Sequence, residues 1–129
     1  MEHEHIYHKE YTEVICRTRD TKVPIAKAAF CTGEGANDKV KTHYEERGLA
    51  TIISLYVSPS YRRKGYGTQI MKHVMRHLYK FGLRYAELDD ASDYSGRSDC
   101  VYVKLGFRYD QGDNHMICNL RSACVSGRF

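Results

Sequence analysis

The stretch Arg62-Arg63-Lys64-Gly65-Tyr66-Gly67-Thr68 gathers the residue types that hold a phosphate. Two glycines one residue apart let the backbone turn tightly and approach a ligand with no Cβ in the way. An apolar, strand-like run, Ile52-Ile53-Ser54-Leu55-Tyr56-Val57, precedes the turn, and an amphipathic stretch starting near Thr68 follows it. The turn therefore feeds a helix N-terminus, where unpaired N–H groups and the helix dipole favour an anion. Arg62, Arg63 and Lys64 stand beside those amides as three positive charges. The chemistry implied is a grip on phosphate or pyrophosphate. It is not a P-loop, because Gly-x-x-x-x-Gly-Lys-Ser/Thr is absent. Ile70 stands where a dinucleotide fingerprint would need its third glycine.

Other reactive side chains carry weaker signals. His73 and His77 are four apart on the helical stretch, but they lack the Glu of His-Glu-x-x-His and share their face with Lys72 and Arg76, which reads as surface. His3, His5 and His8 form a loose tract near the terminus. The five cysteines, at positions 16, 31, 100, 118 and 124, are odd in number and lack Cys-x-x-Cys spacing. Neither a disulfide framework nor a zinc site is expected, and the cysteines read as small hydrophobes or surface thiols.

The pattern Arg62-x-x-Gly65-x-Gly67 resembles the Arg/Gln-x-x-Gly-x-Gly/Ala signature of the Gcn5-related N-acetyltransferases. The strand exit Leu55-Tyr56-Val57-Ser58-Pro59 is similar to theirs. So is Tyr102-Val103-Lys104-Leu105-Gly106-Phe107, which matches the later Tyr-x-x-x-Gly-Phe helix ending. The resemblance spans roughly residues 49–120. It implies an α/β fold with a mixed, mostly antiparallel central sheet, a parallel β-α-β core and few helices. Such proteins usually place two helices between their first two strands. Here no convincing helix precedes residue 67, so those helices are expected to be reduced or absent.

The resemblance also implies a function. The cosubstrate would be acetyl-coenzyme A, with no metal. Residues Arg62, Arg63, Lys64, Gly65, Tyr66, Gly67 and Thr68 would hold its pyrophosphate mainly through backbone amides. Arg63 and Lys64 would add charge toward the 3′-phosphate, and Ser98 or Ser95 would make a further contact. The backbone of Leu55, Tyr56 and Val57 would polarise the thioester carbonyl and pair with the pantetheine arm as an added strand would. The activity implied is direct transfer of an acetyl group to a primary amine. The alternative is a non-catalytic acyl-coenzyme A-binding or regulatory module. Tyr102 is the candidate general acid, since a phenol can protonate a departing thiolate. An alkyl ammonium must lose a proton before it attacks. Some relatives carry a glutamate for this on the central strand, but the ungapped position is Thr51. Glu87, Asp89, Asp90 and Asp93 cluster at the end of the next strand, and Asp89 and Asp90 are the candidate bases, acting through water. Solvated loop carboxylates are the competing reading. Dimers are common in such proteins, which makes a homodimer one expectation.

These residues need elements to position them. Residues 5–18 read as extended, and Arg19-Asp20-Thr21-Lys22 as a polar turn. Val23 to Cys31 reads as a strand with Pro24 at its start or edge. Residues 32–47 read as a loop, and Leu49 to Val57 as a central strand. Ile70, Met71, Val74, Met75, Leu78 and Phe81 recur at three- and four-residue spacing, which predicts a helix over 68–81 stopped at Gly82. Tyr85 to Asp89 reads as a strand parallel to the central one. Residues 97–105 read as a second helix, and Phe107–Asp110 with His115–Leu120 as a hairpin. Residues 121–129 read as a loose tail.

The chain of 129 residues suits a single domain spanning its whole length. No apolar run approaches 18 residues, and the polar start is unlike a signal peptide, so a cytoplasmic protein without membrane contact is expected. The formal charge of +4 suits a polyanionic ligand. Nucleic acid is not an expected partner, because no recognised nucleic-acid motif accompanies that charge. The acceptor expected is a polyamine, a protein amine or another small amine.

Overall fold

The computed structural model describes residues 2–9, 11–17, 23–32, 48–90, 101–109 and 114–125. Seven strands form one sheet: β1 (Glu2–Tyr7), β2 (Thr12–Arg17), β3 (Ala26–Thr32), β4 (Leu49–Val57), β5 (Tyr85–Asp89), β6 (Arg108–Tyr109) and β7 (His115–Asn119). Their spatial order is β1-β2-β3-β4-β5-β7-β6. Strands β4 and β5 run parallel, and every other neighbouring pair is antiparallel. This is the mixed, mostly antiparallel α/β sheet expected, with β4 at its centre.

The extended reading of residues 5–18 is corrected to two strands, joined where the His8 N–H donates to the Tyr11 carbonyl at 2.9 Å. His8-Lys9-Glu10-Tyr11 contains none of the Gly, Pro, Asn or Asp residues that usually mark such a turn. The expected loop over 32–47 and the expected turn over 19–22 fall almost wholly outside the described residues. Among the described residues, no helix precedes a single 3-10 turn at Pro59–Tyr61.

Helix α1 (Tyr66–Lys80) starts two residues before the predicted start and lies on one face of the sheet. Ile70, Met71, Val74, Met75 and Leu78 are buried there among Val14, Ala28, Phe30, Ala50, Ile52, Ala86 and Met116. Each such side chain contributes about 1.5–3 kcal/mol by leaving water. The helix ends as its glycine requires. Gly82 has φ of 91°. The Leu83 N–H donates to the Leu78 carbonyl at 3.1 Å and the Gly82 N–H to the Tyr79 carbonyl at 3.0 Å, closing the last turn.

A short helix α2 (Val101–Leu105) packs on α1 and carries Tyr102. The expected loose tail is overturned over its first part. Leu120–Val125 is a helix, α3, that buries Leu120 and Ala123 against α1 and β7. Its start is capped: the Asn119 Oδ1 accepts the Ser122 N–H at 3.1 Å. No helix among the described residues is long and apolar enough to cross a membrane.

Candidate functional site

The parallel contact between β4 and β5 lasts three pairs: Leu49 with Tyr85, Ala50 with Ala86 and Thr51 with Glu87. Strand β4 then continues for six more residues with no β5 partner, while β5 stays with β7 as far as Asp89 opposite His115. The two strands part at Thr51. Beyond that point one edge of Ile52–Val57 has no strand beside it among the described residues. A further irregularity falls at the same place. Phe30 pairs with Ile52 and Ala29 with Ser54, so Ile53 is an extra residue, a β-bulge. The bulge changes which residues face the helix. Ala50 and Ile52 do so before it, Leu55 and Val57 after it, and Tyr56 is left exposed on the other side.

The glycine turn stands at the end of this parted strand. Gly65 precedes α1 with φ of 85° and ψ of 5°, a left-handed conformation that favours glycine. A Cβ at Gly65 would meet nothing within 4 Å, so the turn opens into space. At Gly67 a Cβ would lie 3.4 Å from Val57 Cγ2, so the glycine lets α1 approach β4 closely. No side chain caps the N-terminus of α1, and its first turn holds no acidic residue. The amides of Tyr66, Gly67 and Thr68 belong to that first turn and have no partner within the helix.

The cations are arranged around this opening. The Arg62 Nε donates to the Val57 carbonyl at 2.9 Å, and its guanidinium carbon stands 5.8 Å from the centre of the Tyr56 ring. Arg62 is thus a brace between turn and strand as well as a charge. Lys64 Nζ is 5.9 Å from the Tyr61 ring centre, and Tyr61 meets Tyr66 edge-on at 5.8 Å. Arg63 takes a positive φ of 63°, which is uncommon outside glycine. The residues present therefore fit a pyrophosphate, with open amides, no competing cap and exposed cations. Hollows lined by Tyr85, Arg108 and Asn119, and by Tyr7, Phe30 and Phe81, lie away from this groove.

Tyr102 sits half-buried in α2, its ring 6.1 Å from Phe107 and edge-on to it. Ser95, Ser98 and Asp93 lie outside the described residues. Asp89 is exposed at the end of β5. Asp90 is not a solvated loop carboxylate. It is buried, its N–H donates to the Asn114 carbonyl at 2.8 Å, and its Oδ2 accepts the Tyr109 hydroxyl at 3.3 Å.

Sequence reasoning missed a further cluster. Glu87 is 1% exposed and His115 7%, yet both are polar. The Thr51 hydroxyl donates to Glu87 Oε1 at 2.8 Å, and His115 Nε2 stands 2.9 Å from Glu87 Oε2. Cys31, paired with Thr51 across β3 and β4, extends the line. Burial holds its thiol above the usual range, with a Thr51 hydrogen bond opposing and the Glu87 charge adding. All four lie on the face away from α1, at the point where β4 and β5 part. Only the sheet register joins them, which no local sequence pattern records.

The histidines also come together. His3 and His5 on β1 meet His73 and His77 on α1. His5 Nε2 is 2.8 Å from His73 Nε2, and His3 stacks on His73 at 4.0 Å. Burial first, then the neighbouring His3, His5, His77 and Arg76, depresses His73 to a pKa of about 4. No group of three or more His, Cys, Asp or Glu side chains among the described residues is set to hold a metal.

A family model described as the acetyltransferase (GNAT) family matches residues 3–107, most of the chain. The chain belongs to the GNAT acetyltransferase family. Solved GNAT-like structures share its fold. Gcn5 from Tetrahymena is 16% identical, with a TM-score of 0.63 over 88% of this chain and 70% of that one. AtaTR bound with AcCoA is 16% identical, with a TM-score of 0.66 over 89% and 71%. AtaT complexed with acetyl-methionyl-tRNAfMet is 16% identical, with a TM-score of 0.65 over 88% and 74%. No curated protein matches the sequence. The strand separation and the glycine turn described above thus belong to a GNAT domain.

Proposed function

We propose that this GNAT protein transfers an acetyl group from acetyl-coenzyme A directly to a primary amine. The observation that supports it most is the geometry at β4. A strand edge that has no neighbouring strand from Ile52 to Val57 among the described residues leads straight into a basic glycine turn at a helix N-terminus. Acetyl-coenzyme A, when bound, supplies an activated acyl group as a thioester.

The chain's own residues do the rest. Backbone groups of Leu55, Tyr56 and Val57 hold the arm of the cosubstrate in the manner of an added strand. An N–H at Tyr56 or Val57 polarises the carbonyl that the amine attacks. The amides of Tyr66, Gly67 and Thr68, with Arg62, Arg63 and Lys64, hold the pyrophosphate. Fixing the thioester beside the amine converts a bimolecular encounter into a positioned one. Tyr102 gives its hydroxyl proton to the departing thiolate. No covalent enzyme intermediate is required, so none of the cysteines needs to act as a nucleophile.

An acceptor screen that follows free thiol release tests this reading. Polyamines, peptide amines, aminoacyl esters and small amines form the panel. Turnover with at least one amine is expected. Tight coenzyme A binding, seen as raised thermal stability, with no turnover on any amine would return the non-catalytic alternative.

A further inference from the structure

We infer that Thr51, Glu87 and His115 form a proton relay that takes the proton from the acceptor amine, a role that rests on the acetyltransferase reading. Three observations carry it. Glu87 and His115 are two of the three buried polar or charged side chains among the described residues, the third being Asp90. They lie in contact, with Oε2 and Nε2 2.9 Å apart. Thr51, the last residue of the β4–β5 seam, is only half-buried and joins Glu87 to the groove through a 2.8 Å hydrogen bond. A carboxylate in the sheet interior is costly unless its oxygens are satisfied. Here one oxygen accepts a hydroxyl and the other meets an imidazole. A purely apolar pair would serve packing better.

The step balances. The ammonium N–H bond breaks and the nitrogen keeps the electron pair. Thr51 Oγ takes the proton, directly or through one water, as its own hydroxyl proton passes to Glu87 Oε1. The carboxylate becomes a carboxylic acid, so charge rises from −1 to 0 there while the amine falls from +1 to 0. The freed pair then attacks the thioester carbonyl carbon. His115 acts as a positioning residue: with Glu87 ionised, its Nε2–H donates to Oε2 and fixes the carboxylate toward Thr51. Asp89 and Asp90, the carboxylates that local sequence favoured, are placed less well. Asp89 is at the exposed end of β5, and Asp90 is held by Tyr109 and Asn114.

Among the described residues, the charged and titratable groups facing the relay include Cys31 on β3 and Asp89 on β5, with His115 itself on β7. The test uses the full chain with Glu87→Gln, Thr51→Val and Thr51→Ser. Glu87→Gln should lower kcat by about 10²–10⁴, the usual worth of acid–base catalysis. It should also remove the acid limb of the kcat/KM pH profile, while acetyl-coenzyme A affinity by calorimetry changes by less than about threefold. Thr51→Val, which removes a hydroxyl from a half-buried site, should show the same split. Thr51→Ser should recover at least tenfold over Thr51→Val. A folded Glu87→Gln or Thr51→Val variant with wild-type kcat and an intact acid limb overturns the relay while leaving the acetyltransferase reading in place. Wild-type protein that binds coenzyme A and acetylates nothing overturns both.

Discussion

Tyr102 and Gly65 are the residues where a single atom separates chemistry from packing. The Tyr102 ring packs edge-on to Phe107, so Tyr102→Phe keeps that contact and removes only the hydroxyl. If the hydroxyl protonates the thiolate, kcat should fall about 10²–10⁴-fold. Coenzyme A affinity should move far less, since a neutral hydrogen bond contributes about 0.5–1.5 kcal/mol. Steady-state kinetics beside a binding titration make the measurement. Wild-type kcat with chemistry rate-limiting would leave Tyr102 as a packing residue. Gly65→Ala places a methyl group in open space but at φ of 85°. It should cost on the order of 1 kcal/mol of stability, seen in denaturant melts, and weaken coenzyme A binding because the turn no longer holds its amides in place. Unchanged affinity in a folded variant would remove the turn from the binding site. At this scale the glycines, the basic run and the Tyr-x-x-x-Gly-Phe ending were legible, because each lies within a few consecutive residues. Glu87 was visible only as one member of an acidic run. Its partners Thr51 and His115 lie 36 and 28 residues away and meet it only through strand register.

Among the elements, α1 was the easiest to read, because its five buried residues recur with helical period. Strands β4, β5 and β7 were bounded almost to the residue. The bulge at Ile53 was not legible, since an uninterrupted apolar run gives no sign of which residue is extra. The β1–β2 hairpin was missed for the opposite reason, a turn without turn-forming residues. That hairpin brings His3 and His5 onto α1, which gives this contact a pH dependence. Because His73 is held down to a pKa of about 4 from its usual 6.5, the unfolded chain binds the proton first as pH falls. The contribution is therefore intact above about pH 6.5 and is lost progressively toward pH 4. The loss is on the order of 1–3 kcal/mol, reduced by the partial exposure of the ring. His3 and His77 are depressed as well and act in the same direction. Urea midpoints measured from pH 7 to pH 4 should fall in the wild type and fall less in His73→Leu. Parallel curves would remove this histidine contact as the cause.

In the whole molecule, one apolar cluster runs from β2 to α3, so the C-terminal segment is part of the packing. Leu120 is fully buried. Leu120→Ala should destabilise by about 2–5 kcal/mol, as other buried leucine truncations do. A thermal melt close to wild type would restore the reading of that segment as a loose tail. It was misread because six residues are too few to show a period, and its Asn119 cap resembles any polar strand ending. The parallel pairing of β4 with β5 followed from recognising the β-α-β unit.

The three-pair seam between β4 and β5 also has a mechanical meaning. It divides the sheet into a half of β1 to β4 and a half of β5 to β7, joined in the sheet by Leu49–Tyr85, Ala50–Ala86 and Thr51–Glu87. Antiparallel ladders elsewhere run to five, six or seven pairs, except at the two-residue β6. Under tension between these two halves, only three backbone pairs resist within the sheet. A ligand lying in the cleft and bonded along the β4 lip would act as a cover for that lip. Loading with coenzyme A should then slow amide hydrogen exchange along Ile53–Val57 and Tyr66–Thr68, while β1 and β2 exchange as before.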